Sequence, residues 1–586
     1  MGASIYVASR WIYSARCPAS TNPSSSISTY VGVLAALIVL LLVFGSFIAA
    51  SLPLLSTAIA LLSALSLIGV LSNSISMASF TSQLCILIGL GVGIDYSLFI
   101  LTRTRSGLRR GLTVDEAVAA AGATAGRAVL FAGITVCIAL LGMLVVGVGV
   151  LSGAAIAASI AVLLPMAAAL TLLPAFIGLF GRRVLTRRHR AGLARGETDV
   201  PEFSKRWSSW ATTVQGRRVG FGLAALAVLV ALGAPFFSMR QGTADYSTDP
   251  TTTTTTTTYR AYELLVKGFA PGFSGPLQFV APVYSQADQA TFATVVAAAG
   301  AAPGAVAATP PAYFPAGPGH PAVDVAEVYP ATSPQAAATS RLITSLRSTT
   351  IPHALGGSHL QVLVGGQTAL ADDTASQLSS KLAIFVGMIV ALSFLLLMVV
   401  FRSLLIPATA AVMNLLSAAA AFGVVVAVFQ WGWLGSLVGV THTGPVSPLV
   451  PILMFAVLFG LSMDYEVFLV SRIQEEWLKR RDNSATVNLG QAITGRTITA
   501  AAIMTVVFAS FTLTTDRTIK MIGLGMATAI VVDALIIRTV LVPAVMHTLG
   551  KRNWYLPDVI DRRLPPLRLE DDGVPRGDDR APVSVA

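Results

Sequence analysis

The chain has 586 residues, 54% of them hydrophobic and only 11% charged, where a soluble protein would carry roughly 25% charged residues. Its mean hydropathy of +0.74 and its repeated apolar runs, each long enough to cross a ~30 Å hydrocarbon core, exclude a large soluble protein and predict a polytopic α-helical membrane protein. The net charge of +11 does not point to nucleic acid, because the basic residues lie between the apolar runs, where they set orientation in the membrane.

Eleven spanning helices are predicted, near 31–53, 55–75, 81–102, 128–150, 154–180, 219–238, 382–401, 404–428, 448–471, 497–514 and 521–547. Lys and Arg collect in four connections: 103–127 (Arg103, Arg105, Arg109, Arg110, Arg127), 181–218 (opening RRVLTRRHR), 472–496 (Arg472, Lys479, Arg480, Arg481, Arg496) and the start of the tail at Lys551. They alternate so as to share one side, the cytoplasm, which leaves the sparsely basic 240–380 outside. The expected organisation is an N-terminal remnant at 1–30, a five-helix bundle at 31–180 and a basic cytoplasmic connection at 181–218. A single helix at 219–239, an extracytoplasmic α+β subdomain at 240–380, a second five-helix bundle at 381–549 and a disordered cytoplasmic tail at 550–586 follow.

Within 240–380, strand patterns at 278–284, 305–314, 323–330 and 360–367 alternate with helical stretches at 286–299 and 334–348. That β-α-β-β-α-β order predicts one ferredoxin-like unit. The threonine run 251–258 reads as a flexible strap, and the Asp- and Gly-rich tail as solvated coil. Cys17, Cys85 and Cys137 are scattered and the six histidines lack ligand spacing, so neither a disulfide framework nor a metal site is expected.

The bundle is duplicated. At one offset of 369 (464 − 95), Gly91 meets Gly460, Asp95-Tyr96 meets Asp464-Tyr465, Phe99 meets Phe468 and Arg103 meets Arg472. Gly126-Arg127 meets Gly495-Arg496, Pro174 meets Pro543 and Gly181 meets Gly550 at the same offset. Upstream, FGSF (44–47) answers FRSL (401–404) at a slightly different one. The series predicts two halves in parallel topology, as in transporters built from repeats.

The paired D-Y-x-x-F-x-x-x-R segments, the Gly-Arg after each, and VVDALIIRTVLVPA (531–544) resemble the MMPL family (mycobacterial membrane protein large) of the resistance-nodulation-division (RND) superfamily, over roughly residues 31–549. The resemblance implies an RND-type bundle in the bacterial inner membrane that exports lipids or lipid-like metabolites. It also implies proton drive with Asp95, Tyr96, Asp464 and Tyr465 as the relay, Phe99 and Phe468 bordering a central channel, and porter subdomains outside.

A carboxylate at the centre of a membrane helix costs about 2.5–3.5 kcal/mol on insertion scales, so Asp95 and Asp464 call for a role. Three readings remain: a proton relay, a sodium site with Ser97 and Ser462 as further oxygen ligands, and permanently protonated hydrogen-bonders. Packing is the plainer reading of Phe99 and Phe468. Asp533 and Arg538 also fall inside a span, and their counterparts at the 369 offset, Leu164 and Ala169, are apolar. Five residues apart on an α-helix they do not share a face, so Arg538 is expected to snorkel to the cytoplasm while Asp533 faces the bundle. They are candidates for relay support or for local assembly; Glu466, opposite Asp464 on its helix, has no assigned mechanism.

No Walker A loop, hydrolase motif or metal cluster appears, so the expectation is a transporter and not an enzyme, with the proton gradient in place of a cofactor. Its partners would be a lipid or hydrophobic substrate, membrane lipids, and a second copy or a biosynthetic complex. The alternative is a non-transporting, lipid-sensing or scaffolding member. Residues 1–30 are too few for a second porter subdomain, which leads to the expectation of an N-terminally truncated member.

Overall fold

The computed structural model describes residues 23–195, 205–248, 257–480 and 482–557. The N-terminal segment up to residue 22, threonines 251–256 and the tail from 558 lie outside the described residues. Among the described residues eleven long helices of the bundle follow in chain order: α1 (Pro23–Phe44), α2 (Phe47–Leu71), α3 (Thr81–Arg109), α4 (Val114–Val146), α5 (Leu151–Val184), α6 (Arg218–Ser238), α7 (Gln367–Phe401), α8 (Leu405–Phe429), α9 (Leu449–Arg480), α10 (Asn483–Ser510) and α11 (Arg517–Trp554). Among the described residues eight of these are long and apolar enough to cross a membrane, and α1 and α9 contribute shorter apolar stretches, Ser28–Phe44 and Leu449–Met463.

The duplication is visible in the backbone. Gly181 closes the last helix of the first half with φ 55 and ψ −135, and Gly550 closes that of the second with φ 58 and ψ −130. The first two helices of each half meet at a left-handed residue, Gly45 (φ 61) between α1 and α2 and Arg402 (φ 49) between α7 and α8. The first break therefore lies at Gly45, some eight residues before the position expected from the apolar runs. Pro53 sits inside α2, as proline does in membrane helices whose neighbours re-satisfy the freed backbone.

Both breaks are gripped from the same place. Arg105 on α3 donates from Nη2 to the carbonyl of Phe44 at 2.8 Å, with its guanidinium 4.9 Å from the Phe44 ring centroid. Its counterpart at offset 369, Gln474 on α9, donates from Nε2 to the carbonyl of Phe401 at 3.0 Å. Helix ends leave carbonyls without an intrahelical partner, and here each motif-bearing helix caps the end of the helix that opens its own half.

The halves interlock through these helices: α9 packs on α4, and α3 on α10. Two equivalent glycines make room. A Cβ on Gly460 would lie 2.7 Å from Val136 Cγ2, and a Cβ on Gly91 would run into the Phe508 ring. α3 is enclosed almost all round, in a core that takes side chains from both halves.

Between α6 and α7 the chain builds the α/β subdomain from β1 (Leu277–Pro282), a helix at Gln286–Gly300, β2 (Ala305–Ala308), β3 (Ala312–Phe314), β4 (Val323–Pro330), a helix at Ala337–Ser345 and β5 (Leu363–Gly365). The sheet order is β2-β4-β1-β5 with every pair antiparallel, and β3 extends the edge against β4. This is the predicted ferredoxin-like order, with the expected strand 305–314 split where Pro310 and Pro311 remove two ladder donors. Phe279, Phe292, Val295, Val328 and Leu346 fill its own small core. β5 runs through Gly366 straight into the 35-residue α7, and Arg347 of the subdomain pairs with Asp373 of α7 at 2.5 and 2.9 Å.

Candidate functional site within the membrane bundle

Asp95 and Tyr96 are buried in the middle of α3, 6% and 3% exposed, with Ser97 beside them. Phe99, one turn on, is partly buried and packs against the core. Arg103 donates to Thr124 Oγ1 at 3.2 Å, where the π-helical turn Gly122–Gly126 interrupts α4. Asp464, Tyr465 and Phe468 follow one another on α9. Their side chains lie outside the described residues.

Asp533 and Arg538 form an ion pair inside the bundle, against the expectation from their spacing. Arg538 does not snorkel. It is 3% exposed, and its Nη2 and Nε donate to Asp533 Oδ2 at 2.6 and 2.9 Å. The cause is local winding: Val532–Leu541 is π-helical, and the i→i+5 repeat of that helix brings residues five apart onto one face. An α-helix would set them about 140° apart.

The same Nη2 donates to the carbonyl of Ser462 at 2.5 Å, and Ser462 Oγ donates to Asn414 Oδ1 at 2.6 Å. The network thus ties α8, α9 and α11 together two residues before Asp464. Glu466 is buried on the same stretch of α9 and lies within electrostatic reach of both Arg538 and Asp533. A small cavity beside the pair, lined by Ser417, Leu458, Ser462, Met526, Asp533 and Arg538, is of a size to take a water. The wide winding also frees the carbonyl of Thr539, which receives Gln491 Nε2 at 2.8 Å and Trp210 Nε1 at 3.1 Å.

The first half holds an apolar version of this junction. Ser462 answers Gly93, whose absent Cβ would press on Thr57 and Pro165. Asn414 answers Thr57 at the upstream offset of 357 (401 − 44), and Asp533 and Arg538 answer Leu164 and Ala169. Ser462, Asn414 and Glu466 are the members that sequence reasoning missed as a set. The legible signal was that each is polar where its repeat partner is smaller or less polar, in an otherwise apolar helix. Among the described residues no group of His, Cys, Asp and Glu could hold a metal ion.

A family model described as the MMPL family matches residues 1–219 and 322–567. The chain belongs to the MMPL family. It is 33% identical over 556 residues to "Membrane protein YdfJ" of Bacillus subtilis, covering 94% of this chain and 74% of that one. It is 34% identical over 542 residues to "Mycolic acid-containing lipids exporter MmpL11" of Mycolicibacterium smegmatis, covering 91% of this chain but only 56% of that protein. The fold is shared with the hedgehog release protein Disp of the water bear Hypsibius dujardini, with a TM-score of 0.59 at 14% identity over 90% of this chain and 70% of that one. As an MMPL protein the chain is a multi-pass protein of the bacterial cell membrane.

Proposed function

We propose that this MMPL chain exports a lipid or hydrophobic metabolite across the membrane at the expense of the proton gradient, with the α/β subdomain outside. The observation that carries the reading is the buried ionic network on α9 and α11 next to the second Asp-Tyr motif. Intramembrane charges are costly and are kept where they serve a pathway or a relay. Asp95 and Asp464 are the groups that load and release protons, and Tyr96 and Tyr465 orient them. Asp533 and Arg538 support the second site through Ser462, and Phe99 and Phe468 border the path between the halves. The lipid-exporter name of the MmpL11 relative supports the substrate class, and the basic connections support the sidedness. One proton moved through 100 mV supplies about 2.3 kcal/mol, enough to bias a rocking step between the two halves.

The test is deletion of the gene in its native host, comparison of surface and cell-associated lipid extracts, and complementation with the unaltered chain, Asp95→Asn or Asp464→Asn. Asn keeps shape and a hydrogen bond but cannot titrate. The unaltered chain should restore the surface lipid and lose that ability when an uncoupler is added, and neither Asn variant should restore it. Full restoration by both variants would remove the proton relay from the mechanism.

A further inference from the structure

The repeat offset changes from 357 (401 − 44) upstream to 369 (464 − 95) downstream, so twelve residues enter the second half between those points. The structure localises ten of them in one connection, and the facing ends of α8 and α9 take one more each. Residues 72–80 join α2 to α3, whereas 430–448 join α8 to α9. The longer connection, QWGWLGSLVGVTHTGPVSP, contains no Asp, Glu, Lys or Arg. It sits at the end of the bundle that carries the α/β subdomain, since Val446 N–H donates to the carbonyl of Arg240 at 2.9 Å and His442 stacks on Tyr259.

Its shape is strongly determined. Trp433 N–H donates to the carbonyl of Ala427 at 2.8 Å, Val440 N–H to that of Gly435 at 2.8 Å, and Gly444 N–H to that of Phe429 at 3.0 Å. Two cations from the start of α11 hold it from beneath: Arg517 donates to the carbonyls of His442 and Phe429, both at 3.0 Å, and Lys520 to those of Val438 and Gly439 at 2.9 and 3.2 Å. These bonds keep Leu434 at φ 54, a left-handed conformation that a non-glycine residue holds only where the surroundings impose it.

The outward side of this rigid turn is apolar. Trp433 is 62% exposed, Leu434 71% and Leu437 79%, and Trp431 packs edge-on against Trp433 with ring centroids 5.1 Å apart. A water-facing loop has no reason to be held in a strained form that presents two indoles and two leucines. Gln430 fastens its start to α6, donating to the carbonyl of Ser238 at 2.8 Å, beside the outward-facing Phe237. Phe237 ends a strip of exposed apolar side chains that runs down α6 through Val230, Leu223 and Val219. The turn therefore continues the lipid-facing belt of α6 beyond the end of the helix, at the depth where tryptophan is enriched in membranes.

We propose that residues 431–438 are an interfacial wedge, seated at the boundary between headgroups and acyl chains of the leaflet on the α/β side. The occupant is membrane lipid and not a protein partner, because the patch is continuous with the lipid-facing strip of α6 and offers neither charge nor a groove. Its far end, residues 442–446, rests on the subdomain's root at Arg240 and Tyr259, so the insertion ties that root to the membrane surface.

The full chain, with its three native cysteines replaced, is labelled with a nitroxide at Leu437→Cys and reconstituted in phosphatidylethanolamine–phosphatidylglycerol vesicles. Accessibility to oxygen and to a nickel chelate is then compared with that of labels at Leu223→Cys on α6 and Thr291→Cys on the subdomain surface. The Leu437 label should favour oxygen over nickel, as Leu223 does but at shallower depth, while Thr291 favours nickel. Preferential access to nickel at Leu437 would place the turn in water, and low access to both would show a protein surface covering it. Either result overturns the wedge.

Discussion

Removing the two grips on the helix breaks should cost unequal amounts. Gln474→Leu keeps side-chain volume and deletes one neutral hydrogen bond to the carbonyl of Phe401, a net loss of about 1 kcal/mol. Arg105→Met deletes a charged donor to the carbonyl of Phe44 together with a cation–π contact to its ring. Hydrogen bonds of charged groups contribute about 1.5–3 kcal/mol and a desolvated cation–π contact up to about 2 kcal/mol. Arg105 is only 5% exposed, so the upper parts of these ranges apply, and Arg105→Met should destabilise the bundle by about 4–5 kcal/mol. Reversible unfolding in mixed micelles, titrated with dodecyl sulfate and followed by circular dichroism, measures both. Equal effects, or a larger one for Gln474→Leu, would refute the assignment of these side chains as caps of the two breaks.

The Asp533–Arg538 pair gives a sharper contrast. Asp533→Asn leaves a buried guanidinium without its carboxylate and should cost about 3–5 kcal/mol. The double change Asp533→Leu with Arg538→Ala, which installs the first-half residues, should recover most of that stability in the same titration without recovering export. Gly460→Ala drives a methyl to 2.7 Å from Val136 Cγ2 and should destabilise by about 1–3 kcal/mol, whereas Gly69→Ala, with open space around it, should not. Single cysteines at Ser285 and Thr198 in a cysteine-free chain should react with a membrane-impermeant maleimide in intact cells at Ser285 only. The reverse pattern would invert the proposed orientation.

Much of the architecture was legible because it rests on composition and repetition. The 369 offset found both halves, and alternation with turn residues found the subdomain's order, although 305–314 was read as one strand where Pro310 and Pro311 divide it into two. The break at Gly45 was not legible, since residues 31–71 form one long apolar run in which a glycine and a proline compete as punctuation. The ionic pair was misread for a deeper reason. Sequence periodicity assumes 100° per residue, and a π-helical stretch is set by what the neighbouring helices donate to its loosened carbonyls, as Gln491 and Trp210 do to Thr539. The cluster around Ser462 is a tertiary product of the same winding.

The unbroken passage from β5 into α7 has a mechanical corollary. At 1.5 Å per residue, the 35 residues of α7 make a rod about 52 Å long. Its inner end is pinned at Phe401 by the helix that carries Asp464, and its outer end is welded to the subdomain by strand continuity and the Arg347–Asp373 pair. Such a rod is a crank with its fulcrum at the foot of the motif helix. A tilt of about 5° there swings the far end by about 4.5 Å over that length, so a displacement too small to disturb the packing of the bundle becomes, at the subdomain, one about the width of an acyl chain.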